Sequence, residues 1–262
     1  MGDATRYRGL AGWRLWLLVG LMLAIMLAVL WYLLENPKNQ TFGNTVTSVP
    51  LHQKVVALTF DDGPNPPYTN EIVEYLHTMH APATFFVVGR AVAQYPDVVR
   101  LEVRDGNALG NHSWDHAHLV LERRAHIERE IAQTDAIIQR ETGVKTRLFR
   151  PPFGARDYTV ISVARHMGYQ VIMWSVPLPK DWESPPPDVI RDRVLRYVKD
   201  GAIIVLHDGN RGKPGDRKAT VEATELIVQA LLAQGYRFVT VPELMHLGYL
   251  ESQTAPSPPA PE

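Results

Sequence analysis

The chain has 262 residues, of which 45% are hydrophobic, and a formal net charge of -1. This length accommodates one domain of about 200 residues with further segments, and the near-neutral charge without a basic cluster argues against nucleic acid as a partner. The sequence has no cysteine, which excludes disulfides, thiolate metal sites, a cysteine nucleophile and a lipid-modified cysteine.

An uncharged apolar run near the N-terminus predicts a transmembrane helix over residues 15–34, since about 20 residues of helix cross a bilayer. Three arginines precede the run, Glu35 follows it, and tryptophan and tyrosine flank it. This pattern predicts a single-pass membrane protein with residues 1–14 in the cytoplasm and the rest outside, extracellular or periplasmic. The alternative is a cleaved signal peptide. However, its apolar region normally has about 7–15 residues and precedes a small-x-small site, which residues 29–34 lack.

Composition divides the remainder into three parts. Polar residues and prolines over 35–52 predict a linker that holds the next domain off the membrane. Residues 53–249 form the predicted folded domain, and the proline-rich segment 250–262 is a predicted disordered tail. Within the domain, strand-like apolar runs alternate with amphipathic helical stretches, which predicts a parallel α/β sheet.

The predicted strands are apolar runs of a few residues each. They are 55–60, 84–88, 108–111, 146–149, 170–174, 202–206 and 237–241. The predicted helices have apolar residues at helical spacing, and most end at a glycine. They are 69–80, 122–142, 157–167, 188–200 and 219–234. About seven strands in one domain favour a closed or nearly closed (β/α) barrel, and a flat doubly wound sheet is the alternative that periodicity leaves open.

Polar residues cluster directly after the predicted strands. In a parallel βα barrel, the loops at the C-terminal ends of the strands carry the chemistry. In chain order, these loops contain Asp61 and Asp62, His112 and His116, Arg150, Asp181 and Trp182, and His207 with Asp208. Each cluster alone is weak evidence, but their joint position at one rim predicts a catalytic site there.

The first two clusters together indicate a metal site. Alone, the Asp-Asp-Gly-Pro stretch at Asp61 is typical of a turn with solvated carboxylates, and a His-x-x-x-His pair is more often two surface histidines. Two histidines at i and i+4 share one side of a helical turn. With one carboxylate from the first loop they make a His-His-Asp set, which is typical of an open zinc-type site. The other aspartate then remains free to act as a base.

Five motifs in this order resemble those of NodB-type polysaccharide deacetylases, which form carbohydrate esterase family four. They are Thr59-Phe-Asp-Asp-Gly-Pro64, His112-Ser-x-x-His116, Arg150-Pro-Pro-Phe-Gly154, Lys180-Asp-Trp182 and Val205-Leu-His-Asp208. The resemblance runs from about Val55 to Leu247. It implies a distorted (β/α) barrel and metal-dependent removal of acetyl groups from N-acetylated sugars, usually chitin-like chains or cell-wall peptidoglycan.

The resemblance also implies a role for each motif. Asp62, His112 and His116 would hold one divalent metal ion, which activates a water molecule and polarises the acetyl carbonyl. Zinc fits this ligand set first, with cobalt, manganese and nickel as alternatives. Asp61 would act as the base, and Arg150 would pair with it and keep it ionised.

The later motifs supply the other half of the predicted site. His207 would protonate the leaving amine, and Asp181 would orient its imidazole. The backbone N–H of Phe153 would be a second contact for the oxyanion, because the two prolines after Arg150 have no N–H. Three side chains would line the pocket for the acetyl methyl group: Trp174, Trp182 and Leu206. Trp174 and Leu206 could equally be plain core residues.

One position departs from the family pattern. The family often has an aspartate where this chain has Leu178, and this difference affects the substrate groove more than catalysis. Two alternative functions remain open: an O-acetyl esterase of the xylan type that uses the same site, and a catalytically silent barrel that binds glycans.

Overall fold

Seven parallel strands form one curled sheet in the computed structural model, which describes residues 6–177 and 179–254. The strands are β1 (Val55–Asp61), β2 (Thr84–Val87), β3 (Ala108–Asn111), β4 (Leu148–Phe149), β5 (Gln170–Val171), β6 (Ile203–His207) and β7 (Arg237–Phe238). Their order is β5-β4-β3-β2-β1-β6, and β7 pairs with the beginning of β1. The sequence located all seven, although β4, β5 and β7 are shorter than predicted.

The sheet curls until its two edge strands face each other. A segment that the sequence assigns to the linker lies between these edges. Val46 forms a parallel bridge to Ile172, directly after β5, and Ser48 forms an antiparallel bridge to Ala202, directly before β6. The Val49 N–H also donates to the carbonyl of Gly201 at 2.9 Å. The prediction of a distorted barrel is therefore confirmed, and the flat doubly wound alternative is wrong.

The chain begins with helix α1 (Arg6–Glu35), which does not cover the sheet. The helices packed around the sheet, among the described residues, are α2 (Tyr68–Thr78), α3 (Gly89–Gln94), α4 (Pro96–Arg104), α5 (Arg124–Thr142), α6 (Tyr158–His166), α7 (Pro187–Leu195), α8 (Lys218–Ala233) and α9 (Val241–Thr254). The five helices predicted within the domain are all present. The sequence analysis missed α3, α4 and α9; of these, α4 carries a proline at its first position, where a proline is compatible with a helix.

Successive residues of β1 and β6 pack into two different apolar clusters. Leu58, Phe60 and Leu206 belong to the cluster that also contains α2, α7 and α8. Ala57 and Val205 belong to the second cluster, with residues of α5 and α6. Because neighbouring side chains of a strand point to opposite faces, Asp61 and His207, one residue after Phe60 and Leu206, point away from the first cluster. This alternation directs both side chains into the mouth of the barrel.

The N-terminal helix α1 leaves its apolar side chains exposed. Trp13–Glu35 has a mean hydropathy of 2.7 and none of its apolar window is buried, so this helix is long and apolar enough to cross a membrane. At the other end of the chain, α9 continues to Thr254, so the first residues of the predicted tail are helical. Residues 1–5, Leu178 and the tail residues 255–262 lie outside the described residues, and so does whatever the sequence predicts for them.

Candidate active site

The two adjacent aspartates lie at the point where β1 ends and the chain turns. Asp61 is the last residue of the strand, and Asp62 has a left-handed backbone with φ of 80°. The loop after β6 passes so close that a Cβ atom at Gly209 would lie 2.2 Å from the carbonyl carbon of Asp62. The turn allows both carboxylates to reach the same cleft, although both are largely buried.

Three side chains bring their ligand atoms together beside this turn. One donor atom from each of Asp62, His112 and His116 lies within 4.8 Å of the others, and all three residues are buried. The two histidines do not lie on a helical turn, as the spacing predicts. They lie on a loop after β3, where Ser113 and His116 have positive φ angles of 66° and 62°. These two left-handed residues, rather than helical periodicity, aim both imidazoles at Asp62.

The arrangement of donor atoms fits a metal ion. Asp62 Oδ1 is buried and makes no hydrogen bond, although Nε2 of His116 and of His112 lie 3.0 and 3.5 Å away. His112 Nδ1 lies 2.7 Å from the carbonyl of Arg150. Since a carbonyl only accepts, Nδ1 carries a proton, and Nε2 is the nitrogen left to bind a metal ion beside Asp62. The Arg211 N–H donates to the other oxygen, Oδ2, at 2.9 Å. A cation between Asp62 Oδ1 and the two Nε2 atoms would satisfy all three.

The protonation states of the cluster also suit a metal ion. Burial raises the pKa of Asp62, but the neighbouring imidazoles bring it well below its usual value. Burial lowers the pKa of His116, and Asp62 only partly opposes this effect. At neutral pH the cluster therefore contains an anionic carboxylate beside a neutral imidazole, and these are the forms that bind metal.

The other aspartate of the turn, Asp61, forms a buried ion pair with Arg150. Arg150 has no exposed surface, and its Nη1 donates to Asp61 Oδ1 at 2.6 Å and to the hydroxyl of Thr59 at 2.8 Å. Its remaining nitrogens donate to the carbonyls of Ile172 and Met173, both at 3.2 Å. Burial lowers the pKa of Arg150, while Asp61 raises it. The guanidinium stays charged and fixes the position of the carboxylate from below the cleft.

A histidine and an aspartate form a second pair across the cleft. His207 Nδ1 lies 2.9 Å from Asp181 Oδ1, and the His207 backbone N–H donates to Oδ2 at 2.7 Å. The Thr220 hydroxyl donates to the same Oδ2 at 3.1 Å. Burial lowers the pKa of His207, but Asp181 foremost, with Asp62 and Asp61, raises it to about 9. The imidazole is therefore protonated at neutral pH and able to donate a proton from Nε2.

The metal cluster and one member of each pair, Asp61 and His207, line one cleft of about 480 Å³, and Arg150 and Asp181 are buried behind them. Three of the predicted pocket residues line it as well: Phe153, Trp174 and Trp182. Phe153 has a positive φ of 61°, and its ring packs edge-on against His116 at 4.5 Å. Trp182 packs edge-on against His207 at 5.1 Å. The cleft thus has aromatic walls next to each group that the sequence singled out.

Leu206 is not brought to the cleft. It has no exposed surface and packs in the cluster that contains the outer helices, whereas its neighbour Val205 lines the cleft. The reason is the two-residue alternation of a strand: His207 faces the site, so Val205 does too and Leu206 faces away.

Two parts of the cleft were not anticipated from the sequence. The loop after β6 adds Asn210, Arg211 and Arg217 to the lining, and the signal that could have found it is its run of glycines and charges after the last catalytic motif. The other is Glu35, the last residue of α1, which lines the same cleft although it is the first residue of the predicted linker.

Comparison with known proteins gives consistent matches. A family model described as polysaccharide deacetylase matches residues 48–172. A peptidoglycan-N-acetylglucosamine deacetylase of Bacillus cereus is 36% identical over 204 residues, which cover 78% of this chain and 93% of the relative. A chitooligosaccharide deacetylase of Azorhizobium caulinodans is 34% identical, with 73% and 94% covered. The peptidoglycan-N-acetylmuramic acid deacetylase PdaC of Bacillus subtilis is 37% identical over 80% of this chain, which spans only 43% of that longer relative.

Solved structures share the fold. The crystal structure of the Bc1960 peptidoglycan N-acetylglucosamine deacetylase superposes with a TM-score of 0.72 at 30% identity, covering 76% of this chain and 92% of that one. A carbohydrate esterase family four pseudoenzyme from Bacillus anthracis superposes with a TM-score of 0.71 at 29% identity, covering 78% and 69%. Since that protein is described as a pseudoenzyme, likeness of fold alone does not carry an argument for catalysis.

Proposed function

The chain belongs to the polysaccharide deacetylase family, and from this premise we propose that it removes N-acetyl groups from N-acetylglucosamine-containing glycans of the cell wall and releases acetate. The relatives named as peptidoglycan and chitooligosaccharide deacetylases support this substrate class. The reaction is the hydrolysis of a linear amide bond that is not a peptide bond.

One observation carries the proposal: every group that such a hydrolysis needs lies in a single cleft. Among the described residues, the metal-ligand cluster, the Asp61–Arg150 pair and the His207–Asp181 pair all have the contacts that their roles require. A silent glycan-binding barrel would not need a buried cation under one carboxylate and a protonated imidazole opposite. The completeness of the set therefore favours an enzyme.

Asp62, His112 and His116 would hold the divalent metal ion, zinc or otherwise cobalt, manganese or nickel. When bound, the ion would lower the pKa of a water molecule and polarise the acetyl carbonyl. Asp61 stands beside this cluster and accepts the proton of the attacking water. Arg150 holds Asp61 Oδ1 at 2.6 Å, so the carboxylate cannot rotate away from the cluster.

The opposite wall completes the reaction. Phe153 itself has a left-handed backbone and lines the cleft, and its backbone N–H would donate to the oxyanion. His207 donates its proton to the leaving amine, and Asp181 contacts both the imidazole Nδ1 and the backbone N–H of His207. Trp174, Trp182 and Val205 would exclude water from the acetyl methyl group, and Leu206 would act only through the packing of β6.

We place the catalytic domain outside the cytoplasmic membrane, anchored by an uncleaved α1. The exposed apolar surface of α1 supports a membrane span. Its last residues also contact the domain, because the backbone N–H of Arg156 donates to the Leu34 carbonyl at 3.1 Å. These contacts would be lost if a signal peptidase removed the helix. The intact mass of the protein from membranes tests the point, because a chain that begins beyond residue 30 would contradict an anchor.

Acetate release by the purified full chain tests the activity. The panel contains N-acetylglucosamine oligomers, peptidoglycan and acetyl xylan, each with zinc, cobalt, manganese or nickel supplied singly after chelation. We expect release from the first two substrates that stops with chelator and returns with metal. Release from acetyl xylan alone would assign the chain to the O-acetyl esterases, and glycan binding without any release would identify a silent barrel.

A further inference from the structure

The end of the anchor helix is held by a buried arginine of the catalytic domain. Arg156 is 1% exposed, and its Nη2 donates to the carbonyls of Asn36, Pro37 and Asn39 at 2.8, 3.1 and 2.7 Å. Its Nη1 donates to the carbonyl of Gly154 at 2.9 Å, in the loop that carries the cleft residue Phe153. The same side chain therefore ties the turn after α1 to the wall of the active site.

The bonds of Arg156 hold the turn after α1 more firmly against the domain than a flexible linker would be held. All these guanidinium contacts are to backbone carbonyls, and burial lowers the pKa of Arg156 to about 10. A buried cation that loses its acceptors is left without solvation, so separating the helix end from the domain is unfavourable. One further bond joins the last turn of α1 to the domain, from the backbone N–H of Arg156 to the carbonyl of Leu34. Within the turn after the helix, Asn39 Nδ2 donates to the carbonyl of Leu33 at 2.5 Å.

The helix end also forms part of the cleft. Glu35 lines the cavity that contains the metal cluster, and it lines a second cavity of about 390 Å³ between α1 and the barrel. Phe153 and Trp174 line both cavities, so the two spaces share their walls. The second cavity is also bounded by Trp31 and Tyr32 of the helix. The cleft and the second cavity thus lie side by side between the catalytic groups and the aromatic end of the predicted membrane span.

The position of the two cavities relative to a bilayer follows from helix geometry. Tryptophan and tyrosine side chains favour the membrane–water interface. At a rise of 1.5 Å per residue, Glu35 lies only about 6 Å beyond Trp31 along the helix axis. With the helix end docked, the cleft opens within a few ångströms of the lipid headgroups. Lys38 lines the second cavity at the same level, where an ammonium group suits a lipid phosphate.

We propose that the substrate of this enzyme is a glycan carried on a membrane lipid, whose sugars enter the cleft along the cavity between α1 and the barrel while its lipid stays in the bilayer. This inference rests on the proposed deacetylase function and on the anchor. It distinguishes a glycan held at the membrane surface from a polymer that lies beyond the reach of a docked cleft.

The test uses the full chain in phospholipid vesicles and three forms of one N-acetylglucosamine oligomer: free, joined to a phospholipid headgroup by a short tether, and joined by a long flexible tether. The main variant carries a flexible Gly-Ser insertion between Glu35 and Asn36, which leaves Arg156 and the cleft side chains of the barrel unchanged but separates Glu35 from the turn that Arg156 holds. Arg156→Ala is a second way to release the helix end. In that variant residues 36–45 are also free of Arg156 and can extend to about 33 Å at 3.3 Å per residue.

We expect the natural chain to deacetylate the short-tethered glycan at least about tenfold faster than the long-tethered one, because a docked cleft samples only the membrane surface. The insertion should bring this ratio close to one while the free oligomer is still turned over. Arg165→Ala is the matched control, because Arg165 also donates to a linker carbonyl, that of Asn44 at 2.8 Å, but does not touch the helix end; it should keep the natural ratio.

The outcomes separate the two claims. An equal short-to-long ratio in the natural chain and the insertion variant, with free oligomer still turned over, would overturn the membrane-carried substrate alone. No acetate from any of the three forms would overturn the proposed function itself, and this inference with it.

Discussion

Replacing one of the two adjacent aspartates at a time should separate catalysis from metal binding. In Asp61→Asn the side chain keeps its size, but the proton acceptor is lost, so kcat should fall by about 10²–10⁴. Metal affinity should stay within a few-fold of the natural value, because the ligand cluster contains Asp62 and not Asp61. Asp62→Asn is the matched control: the same change one residue later should lose the metal as well as the activity.

Asp61→Asn should also destabilise the domain, because Arg150 is fully buried and its Nη1 lies 2.6 Å from Asp61 Oδ1. Breaking a buried ion pair from one side costs about 3 kcal/mol or more. For a domain of this size, that corresponds to a fall in Tm of roughly 6–12 °C. The neutral amide keeps one acceptor for the guanidinium, so the lower end of the range is expected.

The assays are acetate release, calorimetric metal titration and thermal unfolding of each variant in the same detergent. Natural turnover by Asp61→Asn would refute its assignment as the base. Equal loss of metal by both variants would refute the division of roles between neighbouring carboxylates, even if both were inactive.

Three further predictions follow from single contacts. Asp181→Asn should lower the pKa of His207 from about 9 toward the unperturbed value of about 6.5, as followed by NMR of the metal-free protein. Because the folded pKa is the higher one, the stabilisation from this pair should be complete below about pH 6.5 and lost as the pH rises through about 9; a pH-independent stability difference between the two proteins would contradict this. Gly209→Ala places a Cβ atom 2.2 Å from backbone and should lower the free energy of unfolding by about 1–3 kcal/mol, measured by denaturant titration; an unchanged midpoint would contradict it. Leu206→Ala should destabilise by about 2–5 kcal/mol with an unchanged KM, whereas Val205→Ala should alter KM; the reverse pattern in steady-state kinetics would show that Leu206 faces the substrate.

The parallel strands and their C-terminal loops were predictable because hydrophobic periodicity and chain order determine them. All seven strands were located, and most of the polar groups that follow them line one cleft or contact a residue that does. The ion pair between Arg150 and Asp61, which the resemblance implies, is present in the structure. The assignment of roles to these residues stays a prediction until the variants are measured.

The errors share one physical cause: each depends on tertiary contacts that local sequence does not encode. The spacing of His112 and His116 is that of a helical turn, but the chain reaches the same convergence through left-handed residues held by the surrounding loops. Which face of β6 points inward depends on the curl of the sheet, so Leu206 was assigned to the wrong side. Likewise, the four residues Val-Thr-Ser-Val at 46–49 are too short a run to indicate that this segment pairs with both sheet edges.

The pairing of that segment has a consequence for how the domain is isolated. A chain cut at residue 53 keeps every predicted catalytic group, but it exposes the unpaired backbone of β5 and of the beginning of β6 at once. Exposed strand edges recruit other strands and promote aggregation. Residues 46–49 therefore cover both strand edges and prevent self-association through them. A soluble form of this enzyme should begin before Val46.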